Sequence, residues 1–230
     1  RGGKYEMKGN DSSQFATGLL FALPLVENDS ELHIVPPVES RGYIDITLDV
    51  LQRFGIKSEE TEPNTFKIKG NQKYRAEDVE VEKDWSNAAF LFALNEVGGN
   101  VKVNGLSGTS LQADKVCTEL FEKLRKPNAV IDVSGCPDLA PVLFAVAAAK
   151  HGAKFTGTRR LKIKESDRAE VMAEELAKFG VRVETSENEA TVFSNGLSKP
   201  KTALSGHNDH RIVMALSVIA SVTGGKIVGA

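Results

Sequence analysis

Residues 51–59 read Leu-Gln-Arg-Phe-Gly-Ile-Lys-Ser-Glu, and residues 176–184 repeat the pattern as Leu-Ala-Lys-Phe-Gly-Val-Arg-Val-Glu. Each stretch joins the end of a helix, a glycine where a left-handed helix cap is favoured, and an edge-like strand. Before the first copy, Ile44, Leu48 and Leu51 form one apolar stripe at helical spacing. Two such copies in one chain indicate an internal structural repeat.

The residues around each copy predict the same order of elements, βαβαββ. In the first copy the elements are predicted, in chain order, at residues 5–8, 12–23, 32–35, 43–54, 56–59 and 65–69. In the second copy they are predicted at residues 130–133, 139–150, 154–156, 168–179, 181–185 and 191–194. A Rossmann fold is disfavoured because each copy closes with a hairpin and no Gly-x-Gly-x-x-Gly follows a strand.

Two further, partial copies are predicted. One lies between residues 79 and 133, with helices at 86–95 and 114–124, a strand at 101–104 and a shortened closing hairpin. The other begins near Thr202, and its helix and strand are predicted at residues 210–222 and 226–228. We therefore expect an α/β (α+β) fold of repeated βαβαββ units packed around shared helices, in two partial domains that meet near residue 82.

Composition limits the classes of function. The chain has 230 residues, of which 41% are hydrophobic and 26% are charged, and no apolar run approaches the length of a membrane helix. The net charge of -2 gives no overall attraction to nucleic acid. Cys117 and Cys136 do not make a disulfide framework, and neither has a Cys or His partner at metal-ligand spacing. We expect a cytoplasmic protein without a metal site.

The densest cluster of positive charge is at residues 159–168, where five of ten residues are Lys or Arg. Arg168 is predicted in the first turn of a helix, where the helix dipole disfavours a cation, so we expect a negative group beside it. One interpretation is a solvated loop with Asp167 as helix cap. The other is an anion clamp formed by Lys164 and Arg168. Glu165 would then be either an ion-pair partner or an acid beside the substrate.

Four other predicted helices begin with small polar or acidic residues. They start at Ser12-Ser13-Gln14, Asp84-Trp85-Ser86, Pro137-Asp138-Leu139 and Asn208-Asp209-His210. Capping explains each of them singly. Together, repeated units could aim several helix N-termini at one anionic ligand. Asp138 precedes an apolar helix, and partial desolvation there would suit a general base. No Ser-His-Asp constellation is evident, which disfavours a serine hydrolase.

Five short motifs, in order, resemble those of the 5-enolpyruvylshikimate-3-phosphate synthase family. They are Asp11-Ser12-Ser13-Gln14-Phe15, Ser40-Arg41-Gly42-Tyr43-Ile44-Asp45-Ile46-Thr47, Pro137-Asp138, Lys164-Glu165-Ser166-Asp167-Arg168 and Asn208-Asp209-His210-Arg211. The resemblance spans essentially the whole chain. It implies two domains, each built of three βαβαββ units, with substrates bound between them. Residues 1–82 would be the later part of the first domain, and residues 83–230 most of the second, with its C-terminus incomplete.

The resemblance also implies an activity, which is transfer of the enolpyruvyl group from phosphoenolpyruvate to the 5-hydroxyl of shikimate 3-phosphate, with release of phosphate. This reaction belongs to the shikimate pathway of chorismate and aromatic amino acid biosynthesis. The resemblance implies no cofactor or metal, no nucleic-acid or membrane partner, and a monomer in the cytoplasm. Its substrates would be the two small phosphorylated molecules.

Site residues are carried over by position. The shikimate 3-phosphate site would be formed by Ser12, Ser13, Gln14, Ser40, Tyr43, Asp138 and Lys164. Phosphoenolpyruvate would be bound by Gln14, Arg168 and Arg211. Asp138 and Glu165 would be the catalytic pair, with Asp138 at the acceptor hydroxyl and Glu165 at C3 of the donor. His210 and Arg160, which stands where many relatives carry Asn, are further candidates.

Two alternatives stay open at the level of sequence. UDP-N-acetylglucosamine 1-carboxyvinyltransferase shares the fold and the donor, although the Lys-Glu-Ser-Asp-Arg form favours the shikimate enzyme. The other alternative is a non-catalytic anion-binding fragment of the same fold. The family's N-terminal Lys, Ser and Arg motif, its Gly-rich anion loop and its C-terminal active-site Lys lie outside this chain. We therefore expect the 230-residue chain alone to have little or no turnover.

Overall fold

The computed structural model describes residues 1–10, 12–39 and 41–229. They form two compact units. Unit 1 consists of Arg1–Glu82 together with Leu111–Ala113. Unit 2 consists of Lys83–Ser110 and the residues from Asp114 to the end of the described chain. Each unit has its own apolar core.

Unit 1 contains one complete βαβαββ repeat. Its elements are β1 (Gly3–Lys8), α1 (Ser13–Ala22), β2 (Ser30–Val35), α2 (Arg41–Arg53), β3 (Ser58–Glu62) and β4 (Thr65–Ile68). The sheet order is β1-β2-β4-β3, with β1 parallel to β2 and with β4 antiparallel to both β2 and β3. Because α1 and α2 follow parallel neighbouring strands, the two helices begin at the same edge of the sheet.

The core of unit 1 lies between the sheet and its two helices. Helix α2 buries Ile44, Thr47 and Leu51, while Leu48 packs against the same cluster, so the predicted stripe is confirmed. Gly55 follows the helix with a φ of +83°, in the left-handed region that glycine tolerates. This cap lets the chain turn from α2 towards β3.

Unit 2 contains the second complete repeat and the two partial ones. Its elements are α3 (Trp85–Glu96), α4 (Cys117–Leu124), β5 (Ala129–Asp132), α5 (Ala140–Ala149), β6 (Ala153–Thr156), α6 (Arg168–Ala177), β7 (Arg182–Thr185), β8 (Glu189–Phe193), β9 (Leu204–Ser205), α7 (His210–Thr223) and β10 (Ile227–Val228). The sheet order β5-β6-β8-β7 repeats that of unit 1, with β5 parallel to β6. Strands β9 and β10 form a separate parallel pair.

Helix α5 is the centre of unit 2. All residues from Ala140 to Ala148 are buried, and the helix packs against α3, α4, α6 and α7. A helix that is apolar on every side requires neighbours on every side, which explains why its sequence lacks an amphipathic stripe. Four helices around one therefore form the shared helical core.

The structure confirms the predicted α/β fold of repeated βαβαββ units. The prediction of a strand at residues 101–104 is wrong, because these residues are not in a strand. The Asn95 side chain bonds both backbone groups of Val101, with Nδ2 donating to its carbonyl at 2.8 Å and Oδ1 accepting from its N–H at 2.6 Å. A side chain thus takes the place of a neighbouring strand.

No helix among the described residues has the length and apolar character needed to cross a membrane.

Candidate anion-binding site

Three cations converge on the carboxylate of Asp138 in unit 2. Its Oδ1 lies 2.8 Å from Arg168 Nη1 and 3.2 Å from Lys164 Nζ, and its Oδ2 lies 3.3 Å from Arg211 Nη2. Burial of Asp138 raises its pKa, but Arg211, Lys164 and Arg168 outweigh burial and lower the pKa to about 2. Asp138 is therefore ionised and held by positive charge.

The repeat topology brings these residues together. Asp138 lies in the 3₁₀ turn Pro137–Leu139 after β5, and Arg168 is the first residue of α6 after β6. Since β5 and β6 are parallel neighbours, both segments start from the same edge of the sheet. Lys164 ends the 3₁₀ turn Arg159–Ile163, and Arg211 is the second residue of α7. Residues far apart in sequence thus meet at helix N-termini.

Arg168 is buried, with a side chain 1% exposed, and contacts three carboxylates. Besides Asp138, its Nη2 donates to Glu165 Oε2 at 2.6 Å and its Nε donates to Asp209 Oδ2 at 2.8 Å. This confirms the expectation of negative charge beside a cation in the first helical turn. Asp167 caps α6 by accepting from the backbone N–H of Glu170, so the cap and the cation cluster coexist.

Asp209 is a site residue that sequence reasoning treated only as part of a cap. It is fully buried, and its Oδ1 accepts from the N–H of Arg211 at 2.9 Å as the cap of α7. Its Oδ2 also accepts from Ser166 Oγ at 3.0 Å, in addition to Arg168. Burial raises the pKa of Asp209, but its bonds to Arg168 lower it below the ordinary value. One carboxylate therefore links α6 to α7.

Asp114 is a second residue that the sequence did not reveal. It is 3% exposed, its Oδ2 accepts a hydrogen bond from Ser86 Oγ, and its buried Oδ1 has no hydrogen-bond partner among the described residues. Burial raises its pKa to about 6; Ser86 and Arg211 oppose this rise, whereas Asp138 adds to it. In sequence it is one acidic residue at a predicted helix start, a position that capping explains.

Arg211 has a guanidinium donor that no other described residue uses. Its side chain is 14% exposed, and within the described part of the chain its buried Nη1 has no hydrogen-bond partner. Lys164 is 22% exposed, whereas Glu165 is 51% exposed. His210, the first residue of α7, is exposed beside Arg211, and Arg160 is buried in its 3₁₀ turn. Of the three cations around Asp138, Lys164 and Arg211 are thus the more exposed, whereas Arg168 is buried.

The remaining predicted residues lie in unit 1, at the beginning of α1 and α2. Ser12 caps α1 by accepting from the N–H of Gln14 at 3.3 Å, and Ser13 is the first residue of the helix. Tyr43 is half-buried in the first turn of α2. The Oγ1 atoms of Thr17 and Thr47, 2.9 Å apart, join the two helices near these ends. Ser40 lies outside the described residues.

A separate cluster in unit 2 has side chains that metals favour. Ligand atoms of Glu174, Glu175 and His207 lie within 4.8 Å of one another. However, Glu175 Oε1 already contacts Lys178 Nζ at 2.7 Å, and its Oε2 accepts from the N–H of Ser205 at 2.9 Å. The buried carboxylate of Glu175 thus holds the turn before α7. The ammonium group of Lys178 already neutralises this carboxylate, as a metal ion would.

The sequence model of the family described as EPSP synthase (3-phosphoshikimate 1-carboxyvinyltransferase) matches residues 1–228. The chain belongs to the EPSP synthase family. Its relatives within the family include the 3-phosphoshikimate 1-carboxyvinyltransferase of Clostridium acetobutylicum, which is 41% identical over 96% of this chain and 55% of the relative. That of Clostridium kluyveri is 38% identical over 96% of this chain and 56% of the relative. The chain thus spans about half the length of these EPSP synthase family members.

A solved structure of EPSP synthase from Acinetobacter baumannii matches all of this chain and 58% of its own, with a TM-score of 0.81. The identity is 22%, so this likeness supports the fold alone. A second structure of EPSP synthase from the same organism matches with a TM-score of 0.78 and 21% identity. The family assignment and the repeated fold therefore agree.

Proposed function

We propose that this chain is part of an enzyme that transfers the enolpyruvyl group of phosphoenolpyruvate to the 5-hydroxyl of shikimate 3-phosphate, with release of phosphate. Family membership supports the reaction class. The observation that carries the proposal is the convergence of Lys164, Arg168 and Arg211 on Asp138. Three cations around one carboxylate form a site that a more highly charged anion can enter.

Phosphoenolpyruvate is the proposed ligand of the two arginines. Arg211 offers a buried donor that has no hydrogen-bond partner among the described residues, and Arg168 would exchange its contact with Asp138 for the substrate. The guanidinium groups suit the two-pronged recognition of carboxylate and phosphate. Release from the arginines would free Asp138 to face the acceptor hydroxyl. Gln14 of unit 1 is proposed as a further donor contact.

Shikimate 3-phosphate is the proposed ligand of the helix starts in unit 1 and of Lys164. The N-termini of α1 and α2 expose backbone N–H groups and a positive dipole end, which favour a phosphate group. Ser12, Ser13, Gln14 and Tyr43 lie at these ends, and Ser40 is placed with them by sequence. In unit 2, Lys164 and Asp138 would complete the contacts to the acceptor.

The proposed chemistry requires two opposed proton transfers. The oxygen of the 5-hydroxyl attacks C2 of phosphoenolpyruvate while Asp138 takes the proton of that hydroxyl. Protonated Glu165 delivers a proton to C3. In the resulting tetrahedral intermediate, Glu165 removes a proton from C3 and Asp138 returns its proton to the departing phosphate. Glu165 accepts a hydrogen bond from Arg168, so the arginine would hold this carboxyl beside the donor. Positioned charges supply the stabilisation.

The domain assignment is part of the proposal. Residues 1–82 would be the later part of the first domain on the shikimate 3-phosphate side, and residues 83–230 most of the second domain on the phosphoenolpyruvate side. A monomer in the cytoplasm stays a prediction.

Calorimetric titration of the folded chain with shikimate 3-phosphate tests the acceptor, with UDP-N-acetylglucosamine as the competing ligand. We expect the chain to bind shikimate 3-phosphate and not UDP-N-acetylglucosamine. Lys164→Ala should abolish it, whereas Lys162→Ala should not, since Lys162 is exposed in the same turn. Ser13→Ala tests the contribution of unit 1.

The outcomes separate the alternatives. Binding of UDP-N-acetylglucosamine instead would assign the chain to the other enolpyruvyl transfer reaction. Absence of binding by a folded chain, together with no turnover in a longer form of the protein, would support a non-catalytic fragment. Robust phosphate release by the 230-residue chain alone would contradict the expectation that further segments are needed.

A further inference from the structure

The turn that leads into α7 has an unusual backbone. His207 and Asn208 have φ values of +50° and +55°, in the left-handed region that residues other than glycine seldom occupy. Asp209, the next residue, caps α7 and contacts Arg168. The direction in which α7 begins therefore depends on two successive residues whose conformation the surrounding structure must hold.

Glu175 of α6 holds this turn at two points. Its side chain is 0% exposed, and its Oε2 accepts from the N–H of Ser205 at 2.9 Å. Its Oε1 lies 3.0 Å from Nε2 of His207 and 2.7 Å from Nζ of Lys178. Burial raises its pKa, but hydrogen bonds from Lys178, His207 and Ser205 lower the pKa below its ordinary value. The carboxylate is therefore ionised, so Nε2 of His207 is the donor in their hydrogen bond.

The same helix holds the beginning of α7 through Arg168. Arg168 Nε donates to Asp209 Oδ2 at 2.8 Å, and Asp209 Oδ1 accepts from the N–H of Arg211 at 2.9 Å. Arg168 and Glu175 are seven residues apart, so they lie on one face of α6, about two turns from each other. Arg168 fixes the carboxylate of Asp209, and Glu175 fixes the turn that precedes it.

Arg211 depends on this fixed start because its guanidinium group must be placed accurately. Its Nη2 lies 3.3 Å from Asp138 Oδ2, and its buried Nη1 has no hydrogen-bond partner among the described residues. Hydrogen bonds to an anion need donor–acceptor distances of about 2.7 to 3.2 Å. A shift of about 1 Å at the beginning of α7 would therefore weaken the contacts that Arg211 can make.

We propose that His207 is a positioning residue for the anion site, because its hydrogen bond to Glu175 holds the turn of residues 205–208 and thereby fixes Arg211 for the donor substrate. The proposal rests on the proposed function, since it takes phosphoenolpyruvate as the ligand of Arg211. His207 acts through the backbone of the turn and not by contact with the substrate.

Two substitutions separate the hydrogen bond of His207 from its backbone conformation. In His207→Gln the amide Nε2 can still donate to Glu175, so the affinity for phosphoenolpyruvate should stay within about twofold of that of the unaltered chain. In His207→Asn the residue tolerates the left-handed φ, but its side chain is too short to reach Glu175. Its affinity should fall by about tenfold. Calorimetric titration with phosphoenolpyruvate measures both affinities.

Hydrogen exchange of the Arg211 amide tests the positioning step without a ligand. This N–H donates to Asp209 Oδ1, so it should exchange faster in His207→Asn than in the unaltered chain. In His207→Gln its exchange should be unchanged.

Ser194→Ala is the control for a loss of stability alone. Ser194 Oγ donates to the carbonyl of Ala148 at 2.7 Å, in unit 2 but outside the turn before α7. This variant should unfold at a lower urea concentration and yet bind phosphoenolpyruvate within about twofold of the unaltered chain. Circular dichroism confirms that each variant is folded during the titrations.

The possible failures are distinguishable. If His207→Asn binds phosphoenolpyruvate as tightly as the unaltered chain, or if His207→Gln is as weak as His207→Asn, the role of the hydrogen bond is overturned while the donor site stands. If Ser194→Ala weakens binding as much as His207→Asn, the effect is one of stability, and the proposal is again overturned. If the folded, unaltered chain does not bind phosphoenolpyruvate, the donor site of the proposed function is contradicted, and this proposal with it.

Discussion

Arg168 shows how a cation becomes stable where the helix dipole opposes it. It begins α6, yet Asp138, Glu165 and Asp209 each contact its guanidinium at 2.8 Å or less. Two of these carboxylates come from other segments, which only the folded chain brings near. The sequence therefore predicted that a negative group was needed, from the position of Arg168 alone. It could not identify Asp209, because the partner lies 41 residues away.

Arg168→Lys should lower the free energy of unfolding by about 3 to 5 kcal/mol, because a single ammonium cannot bridge three carboxylates and leaves buried charge unpaired. Urea unfolding followed by circular dichroism measures the loss. Arg159→Lys is the control, since this side chain is 63% exposed and pairs with exposed Glu187. It should change stability by less than about 1 kcal/mol. Equal effects of the two variants would contradict the central role of Arg168.

Asp114→Asn should make stability less dependent on pH. The pKa of Asp114 is raised from 3.8 to about 6, so the unaltered chain loses stability as pH rises between these values, where the unfolded form is already ionised. The loss is about 3 kcal/mol and is complete above about pH 7. Urea unfolding at pH values near 5 and 8 should therefore show the variant gaining stability relative to the unaltered chain at the higher value.

Glu119→Gln is the matched control for this measurement, because it makes the same chemical change on the exposed face of α4. It should leave the difference between the two pH values unchanged. A pH dependence that is the same in Asp114→Asn and in the unaltered chain would show that Asp114 is not the group that titrates.

At the scale of elements, local signals predicted helices better than strands. Helix α6 was expected at residues 168–179 with Asp167 as cap, and it spans Arg168–Ala177 with that cap. Spacing and caps act within a few residues, so they are visible in sequence. A strand requires a partner elsewhere in the chain, and the prediction at residues 101–104 failed because the Val101 backbone bonds Asn95 instead.

Asn95→Ala should therefore loosen the segment after α3. It removes two hydrogen bonds to the Val101 backbone and should cost about 1 to 3 kcal/mol. Hydrogen exchange should show faster exchange of the Val101 amide. Asn87→Ala, on the same helix, removes an exposed contact with Asp84 and is the control. Unchanged protection of Val101 in Asn95→Ala would contradict this account.

At the scale of the whole molecule, the repeat and the family motifs predicted the fold class and most of the cation cluster. Residues 51–59 and 176–184 indicated the repeat, and the sheets β1-β2-β4-β3 and β5-β6-β8-β7 confirm it. Asp114 could not be found in this way. Its significance depends on burial and on the charges of Asp138 and Arg211, which come from different segments. The roles of the substrate-binding residues stay predictions.

The two cores should respond to mutation separately. Leu51 belongs to the core of unit 1 and Leu143 to that of unit 2, and both are 0% exposed. Replacement of either by alanine should cost about 2 to 5 kcal/mol through the cavity it leaves. Hydrogen exchange should increase only in the unit that carries the substitution. If Leu51→Ala increased exchange in α5 as much as in α2, the two units would not be independent.

The arrangement of helices around α5 has a consequence for synthesis on the ribosome. The first sheet is complete once Ile68, the end of β4, has emerged, so it can form while later residues are still being added. Helix α5 is completed at Ala149 but must wait for α7, which ends at Thr223, before its apolar surface is covered. The most hydrophobic of the described helices is thus left partly uncovered until α7 has been synthesised, and in that interval chaperones and aggregation can act on it.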